Sequence, residues 1–226
     1  MALILNIDTA TETASVGVAC DGNTIALLKN EQQREHASFI HQAIEQVLRT
    51  SGTRLEEIQA FAVTSGPGSY TGLRVGFATA KGFCYALAKP LITVNTLEVM
   101  TTAAIDTIKE LGPNLLFCPM IDARRMEIFT ALYDPNLSVI IPPGPIILHE
   151  NLFHDFLARN PIVFFGSGSD KFKPFVPNLN AHFRLVEYDA KHLGRLADKA
   201  FTESKFSDIT YSEPAYFKDF HSIFKK

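Results

Sequence analysis

Disulfide and metal chemistry have little to work with in this sequence. Its three cysteines, Cys20, Cys84 and Cys118, are odd in number and share no metal-type spacing, so reduced and mostly buried thiols are expected. Long apolar runs are also missing: none reaches the roughly 18 residues of a membrane-spanning helix. The opening MALILNID has no basic stretch ahead of its apolar residues, so the expectation is a cytoplasmic chain with no membrane partner. Excess charge of either sign is absent as well. With 21 basic and 24 acidic residues, a net charge of −3 and a pI near 6.2, the chain has no electrostatic footprint for binding nucleic acid alone. Any role in nucleic-acid chemistry would need a more basic partner.

What remains is ordinary globular material. A length of 226 residues, 46% hydrophobic and 20% charged, suits one large domain or two small ones. Leu3 to Ile7 is a continuous apolar run, fit for a strand covered on both faces. Asp8 and a threonine-rich turn follow, then strands over Ala14 to Cys20 and Asn23 to Lys29 joined by an Asp21-Gly22 hairpin. Asp8 can cap its own turn, or help hold a hydrated cation and phosphate. An amphipathic helix is predicted over Ser38 to Arg49, a short strand over Leu91 to Val94 and a helix over Leu97 to Lys109. This order describes a mixed sheet with covering helices.

The most informative stretch is FAVTSGPGSYTGLRVGFATAKGFCYALAKP, Phe61 to Pro90. It reads as a buried strand, a glycine turn at Gly66 to Ser69 and a helix to about Ala88, capped by Ser69 or Thr71. The glycines fit no dinucleotide or P-loop fingerprint: Thr71 stands at the sixth position, and no Gly-Lys pair closes the loop. A tight strand-to-helix turn and a phosphate cradle both remain open. The helix has only two charges, Arg74 and Lys81, between Thr71 and Ala88, and its interior glycines, Gly76 and Gly82, each cost about 1 kcal/mol. Such a helix is expected to be buried on more than one side. Leu73, Phe77, Ala80, Cys84 and Leu87 form one stripe, suited to its own sheet. Thr71, Val75, Ala78, Gly82 and Ala86 form an opposite stripe of small, uncharged residues. Either a second subunit docks there or the Ser38 to Arg49 helix covers it.

In the C-terminal half, Leu115 to Ile121 is again an apolar strand ending in an acid, Asp122. A strand over Met126 to Tyr133 follows Ala123-Arg124-Arg125. NIDTATETASVGV and MIDARRMEIFTAL share the order strand, Asp, polar turn, strand, and their aspartates lie 114 positions apart (122 minus 8), a sign of internal duplication. Pro135 to Pro145 reads as an exposed proline-rich segment, Leu148 to Arg159 as a helix, Ile162 to Phe165 as a buried strand and Gly166 to Asp170 as a loop. Ala190 to Thr202 is a last amphipathic helix, and the aromatic tail has no clear period. His36 and His41, like His149 and His154, are spaced by five, which puts them about 140° apart on a helix. That spacing does not suit a shared metal.

Together ILNIDTATETASVGV, GPGSYTGLRVGFATAKG, IDARRMEIF and PAYFK resemble, in order over essentially the whole chain, the TsaB (YeaZ) family, relatives of the TsaD glycoprotease-like proteins. The resemblance implies the actin/Hsp70/sugar-kinase-like (ribonuclease H-like) α/β fold with two related domains. These are expected at residues 1–110 and 111–226, the C-terminal tail packing back on the first. It further implies a non-catalytic subunit for making N6-threonylcarbamoyladenosine next to the anticodon of tRNAs reading ANN codons. The implied partners are a TsaD-type catalytic subunit, a TsaE-type ATPase or a second copy of the chain, with tRNA met only through the complex. No cofactor or metal is implied. The positions matching the family's motifs are Asp8, Gly66, Gly68, Thr71, Gly72, Arg74, Asp122, Arg124 and Glu127, read as structural or interface residues. Two features of the chain agree with a non-catalytic reading: neither hairpin turn has the glycines that admit phosphates closely, and the second is bulky and cationic. The alternative is a stand-alone enzyme of the same fold, a metallopeptidase or an ATP-dependent phosphotransferase using Asp8 and the loop at Gly166 to Ser169.

Overall fold

A strand with no polar alternation must be covered on both faces, and β1 (Leu3–Asp8) is buried from Ile4 to Asp8. The computed structural model describes residues 1–30, 36–110, 112, 114–177 and 179–216. In it, β1 is the centre of a five-stranded sheet. β2 (Ala14–Cys20) pairs antiparallel with β1 and with β3 (Asn23–Asn30). On the other side β4 (Ala60–Thr64) and β5 (Leu91–Val94) run parallel to β1, giving the order β3-β2-β1-β4-β5. Asp21 and Gly22 both have positive φ, as a tight hairpin with right-handed strand twist requires.

Helices cover both faces of this sheet. α1 (His36–Ser51) and α2 (Tyr70–Leu87) close over Leu5, Ile7, Val16, Val18, Phe61 and Val63. On the opposite face α3 (Thr96–Thr107) and α6 (Ala190–Thr202) pack on Ile4, Ala60, Ala62 and Ile92 through Val99, Leu193 and Ala197. The amphipathic α6 thus returns to the first sheet, and the first unit comprises Met1–Glu110 together with Leu185–Pro214. This differs from a cut that gives everything after residue 110 to a second domain. The α6 stripe has its complement on the first sheet, and Ser207 bridges Leu91 at the β5 edge. Lys81 of α2 donates to the Ser212 carbonyl at 2.9 Å, fixing that returning segment.

The second unit is built on Leu111–Arg184 and repeats the sheet. β6 (Leu116–Asp122), β7 (Glu127–Tyr133) and β8 (Val139–Ile147) are antiparallel neighbours. β9 (Ile162–Phe165) and β10 (Ala181–Phe183) extend it in parallel on the other side of β6. The order β10-β9-β6-β7-β8 matches that of the first sheet strand for strand, so the paired Asp hairpins belong to duplicated sheets. Within the second unit two single-turn helices, α4 (His154–Leu157) and α5 (Ser169–Phe172), pack on this sheet around a core knot of Phe153, Phe164 and Phe172.

Two expectations for this half need correction. Residues 139–147 form a strand despite Pro142, Pro143 and Pro145; β8 is the sheet edge, where a missing N–H costs least. The helix expected over Leu148 to Arg159 shrinks to four residues, because Phe153 adopts a positive φ of 64° just before it and breaks the chain's course. The three-residue β10 is too short to leave a periodic signal. The final aromatic tail, from Phe217 on and including the Phe217-Lys218 end of PAYFK, lies outside the described residues.

α2 is placed by its glycines. A Cβ on Gly68 would lie 2.1 Å from the Ala10 carbonyl oxygen, one on Gly72 2.1 Å from that of Thr9, and one on Gly76 2.5 Å from Thr9 Oγ1. Spaced by four, these residues make one bare edge of the loop and helix, against which the turn after β1 rests directly. Gly82 differs: nothing lies within 4 Å of a Cβ there. Gly68→Ala and Gly72→Ala are therefore expected to destabilise by about 2–4 kcal/mol through overpacking against backbone. Gly82→Ala should stabilise by about 1 kcal/mol through helix propensity. Urea denaturation of the three variants checks this; a Gly72→Ala protein as stable as the parent would contradict the contact.

Candidate functional site

The first hairpin turn is closed from within. Asp8 is buried at the end of β1. Its Oδ1 accepts from the Ala10 amide at 3.1 Å and from the Thr64 hydroxyl at 2.8 Å, an Asx-type turn tied to the neighbouring strand. Thr9 donates its hydroxyl to the Gly72 carbonyl at 2.7 Å, and the Ser69 amide donates to the Ala10 carbonyl at 2.6 Å. Ser69 is the cap of α2, its Oγ accepting from the Gly72 amide at 3.3 Å. Gly66, with φ 100°, is fixed at the start of α3: its amide donates to Thr96 Oγ1 and its carbonyl accepts from the Thr96 amide. In a phosphate cradle such loop amides point at an anion. Here the carbonyls of Thr9 and Ala10 occupy that position.

Side chains from the start of α6 enclose the turn further. The Tyr188 hydroxyl shares a 2.6 Å hydrogen bond with Thr11 Oγ1. Asp189 caps α6 through the Lys191 amide, contacts His192 and forms an ion pair with Lys29. Burial pushes the Asp8 carboxyl up to about 6, against the lowering by its two hydrogen bonds, and Asp189 adds repulsion. The second carboxylate oxygen of Asp8 has no hydrogen-bond partner among the described residues. Burial and the charge of Asp8 likewise raise Tyr188 well above the usual phenol. Asp189 goes the other way: burial alone would raise it, but His192, Lys29 and the Lys191 amide outweigh that and hold it low.

The corresponding turn of the second unit is open. Asp122 Oδ1 accepts from the Arg124 amide at 2.7 Å, repeating the Asx turn, and the Asp122 amide donates to Ser167 Oγ. Lys171 of α5 forms an ion pair with Asp122 and donates to the Arg125 carbonyl at 2.8 Å. Arg124 and Arg125 are exposed, with φ of 64° and 51°. Glu127 opens β7, closing the turn through its amide on the Arg124 carbonyl.

The family-motif residues thus fall into two groups. Asp8, Gly66, Gly68 and Gly72 come together in the first unit; Asp122, Arg124 and Glu127 share the turn of the second. Arg74 stands apart on the surface of α2, its guanidinium donating to the Tyr70 hydroxyl at 2.5 Å. On α2 the stripe of Leu73, Phe77, Ala80 and Cys84 is buried, with Leu87 packed beside it. On the opposite side Thr71, Ala78, Gly82 and Ala86 are exposed and Val75 is half-buried. Among the described residues neither α1 nor any other element buries the second stripe beyond Val75, which packs against the core, so the expected burial on two sides is not seen there. Tyr85, 85% exposed, stands beside it.

Among the described residues no group of three His, Cys, Asp or Glu side chains is placed to hold a metal ion. His41, His149 and His154 are exposed, while the His36 side chain lies outside the described residues. Burial pushes the thiols of Cys84 and Cys118 up to about 12, leaving them protonated and unreactive. No described helix is long and apolar enough to cross a membrane. Sequence reasoning missed Thr64, Tyr188, Asp189 and Lys171. Only Asp189 had a usable signal, as an N-cap residue immediately before an amphipathic run.

Asp8 makes stability fall with rising pH. Its folded value near 6 lies above the ordinary 3.8, so the native state holds the proton more tightly. There is no penalty well below 3.8; it grows as pH rises through 6 and reaches about 3 kcal/mol above about pH 7. Asp8→Asn keeps an oxygen for Ala10 and Thr64 but cannot ionise. Urea denaturation between pH 4 and 7.5 should show this variant gaining up to about 3 kcal/mol on the parent as pH rises. A difference that stays flat would contradict the buried, unpaired carboxylate.

Comparison with known proteins fits this geometry. The family model for TsaD, tRNA N6-adenosine threonylcarbamoyltransferase, matches residues 27–141. The tRNA threonylcarbamoyladenosine biosynthesis protein TsaB of Escherichia coli is 31% identical over 96% of this chain and 94% of its own. The solved structure of a Pseudomonas aeruginosa protein described as similar to the peptidase YeaZ superposes with a TM-score of 0.84 at 22% identity, covering 96% of this chain and all of that one. An activator of 2-hydroxyisocaproyl-CoA dehydratase from Clostridium difficile, solved with bound ADPNP, reaches 0.50 at 8% identity over 90% of this chain and 97% of its own. The fold is that of the actin/Hsp70/sugar-kinase-like class, with its two related sheets. With the E. coli protein matched along nearly its full length, this chain belongs to the TsaB family.

Proposed function

We propose that this chain is a subunit without chemistry of its own, one that activates a TsaD-type transferase. The product would be N6-threonylcarbamoyladenosine next to the anticodon of tRNAs reading ANN codons. The observation that carries this reading is the division of α2 into two faces. Its glycine edge is used up on the Thr9-Ala10 turn, leaving the first hairpin without an open anion loop. Its other face, Thr71, Val75, Ala78, Gly82 and Ala86, is uncharged and small and, apart from the half-buried Val75, exposed among the described residues. Small residues at that spacing let a partner helix approach closely, and a partner would offset the propensity cost of Gly82. The TsaD-type subunit is the proposed occupant, with a second copy of this chain as the alternative occupant and a TsaE-type ATPase joining the assembly.

A stand-alone phosphotransferase finds less support: Asp8 is committed to Ala10 and Thr64, and Asp122 to Lys171. Threonylcarbamoyl transfer by the partner, measured with and without this chain, tests the reading. Ala78→Arg and Gly82→Arg should abolish association and stimulation, since a desolvated, unpaired charge in an interface is costly. The variants themselves should melt close to the parent, because both positions are exposed and substitutions there usually move stability by only about 0.5 kcal/mol. A folded variant that still assembles would refute the docking face. Asp8→Asn and Asp122→Asn should leave stimulated transfer within about tenfold, or about 1.4 kcal/mol; full loss of transfer from a folded variant would mean direct chemistry.

A further inference from the structure

The two hairpin turns hold equivalent places in duplicated sheets and have opposite surroundings. In the first, Thr9 and Ala10 are buried and their carbonyls rest on glycines. In the second, the chain between Asp122 and Glu127 projects outward, and its two central side chains are arginines at positive φ. Positive φ is disfavoured at two consecutive bulky residues, and the local framework over-determines it. Asp122 accepts the Arg124 amide, the Asp122 amide reaches Ser167, the Ala123 amide donates to the Glu127 carbonyl and the Glu127 amide to the Arg124 carbonyl.

The charge arrangement points outward as well. Asp122 and Glu127 flank the turn, and Lys171 forms an ion pair with Asp122 while also binding the Arg125 carbonyl. Neither Arg124 nor Arg125 takes part in an ion pair or side-chain hydrogen bond among the described residues, and both are exposed, as is Met126 beside them at 46%. A strained turn has been fixed to display two exposed guanidinium groups on a chain whose net charge is −3. Guanidinium forks match phosphate oxygens in pairs.

We propose that the Arg124-Arg125 turn is a contact surface for the phosphate backbone of the RNA substrate, engaged when the chain is assembled with its catalytic partner. This rests on the reading of the chain as a subunit of a tRNA-modifying complex. Two cations on an acidic chain are too few to hold RNA alone; added to a partner's surface, they position the substrate. Phosphate contacts of this kind act independently of sequence and carry a salt dependence set by their number.

The test uses the assembled complex and an unmodified tRNA transcript, with binding measured by fluorescence anisotropy from about 50 to 200 mM salt. The variants are Arg124→Ala/Arg125→Ala, which removes both charges while keeping non-glycine residues at the two positive-φ positions, and Arg124→Lys/Arg125→Lys. The alanine pair should weaken binding about tenfold or more at the lower salt. It should also flatten the slope of log affinity against log salt by about 1.5 to 2, and the lysine pair should restore most of that slope. Unchanged affinity and slope in the alanine pair would overturn the proposal. So would a folded alanine pair that no longer assembles with the partner, since the turn would then be a protein contact. A parent complex that neither binds the transcript nor stimulates transfer would overturn the functional reading, and this proposal with it.

Discussion

The structure of the first unit depends on one close approach. The carbonyls of Thr9 and Ala10 reach the backbone of the α2 edge at Gly68 and Gly72, nearer than any side chain would permit. Much of the local arrangement follows from that contact. It aligns the Ser69 amide with the Ala10 carbonyl and the Thr9 hydroxyl with the Gly72 carbonyl. It fixes the rotation of α2, so that Leu73, Phe77, Ala80 and Cys84 meet the sheet while Ala78, Gly82 and Ala86 turn outward. It also closes the space that an open loop at a helix start would offer an anion.

Duplication of the sheet makes the difference between the two halves informative. Both units end their central strand in an aspartate that caps its own turn, Asp8 on Ala10 and Asp122 on Arg124. In the first unit the carboxylate is buried with one oxygen unpaired, and its charged form carries a penalty near neutral pH. In the second, Lys171 supplies the opposite charge and the turn stays at the surface. One copy of the motif has thus become packing and the other a cationic projection.

The long elements were legible because their patterns are local. The apolar run of β1, the Asp21-Gly22 hairpin, the helix after Gly66 to Ser69 and the α6 stripe all stand near where their residues place them. Residues 139–147 misled because prolines argue against a central strand, while an edge strand tolerates them. The helix expected after Leu148 failed on a single backbone position, the positive φ of Phe153, which side-chain periodicity does not encode. The role of the glycines was half visible. Their number in α2 signalled an unusual helix, but that Gly76 meets Thr9 while Gly82 meets nothing depends on contacts some 60 residues away in sequence. Tyr188, Asp189 and Lys171 were invisible for the same reason: each acts on a turn that is remote along the chain.

The central claim is that the first hairpin turn, and no bound anion, satisfies the start of α2. Hydrogen exchange at the Ser69 amide reports on that bond directly. The account predicts protection comparable to the amides of β1 in the isolated chain, unchanged by millimolar Mg-ATP. A Ser69 amide that exchanges like an exposed loop, or becomes protected only when nucleotide is added, would contradict it.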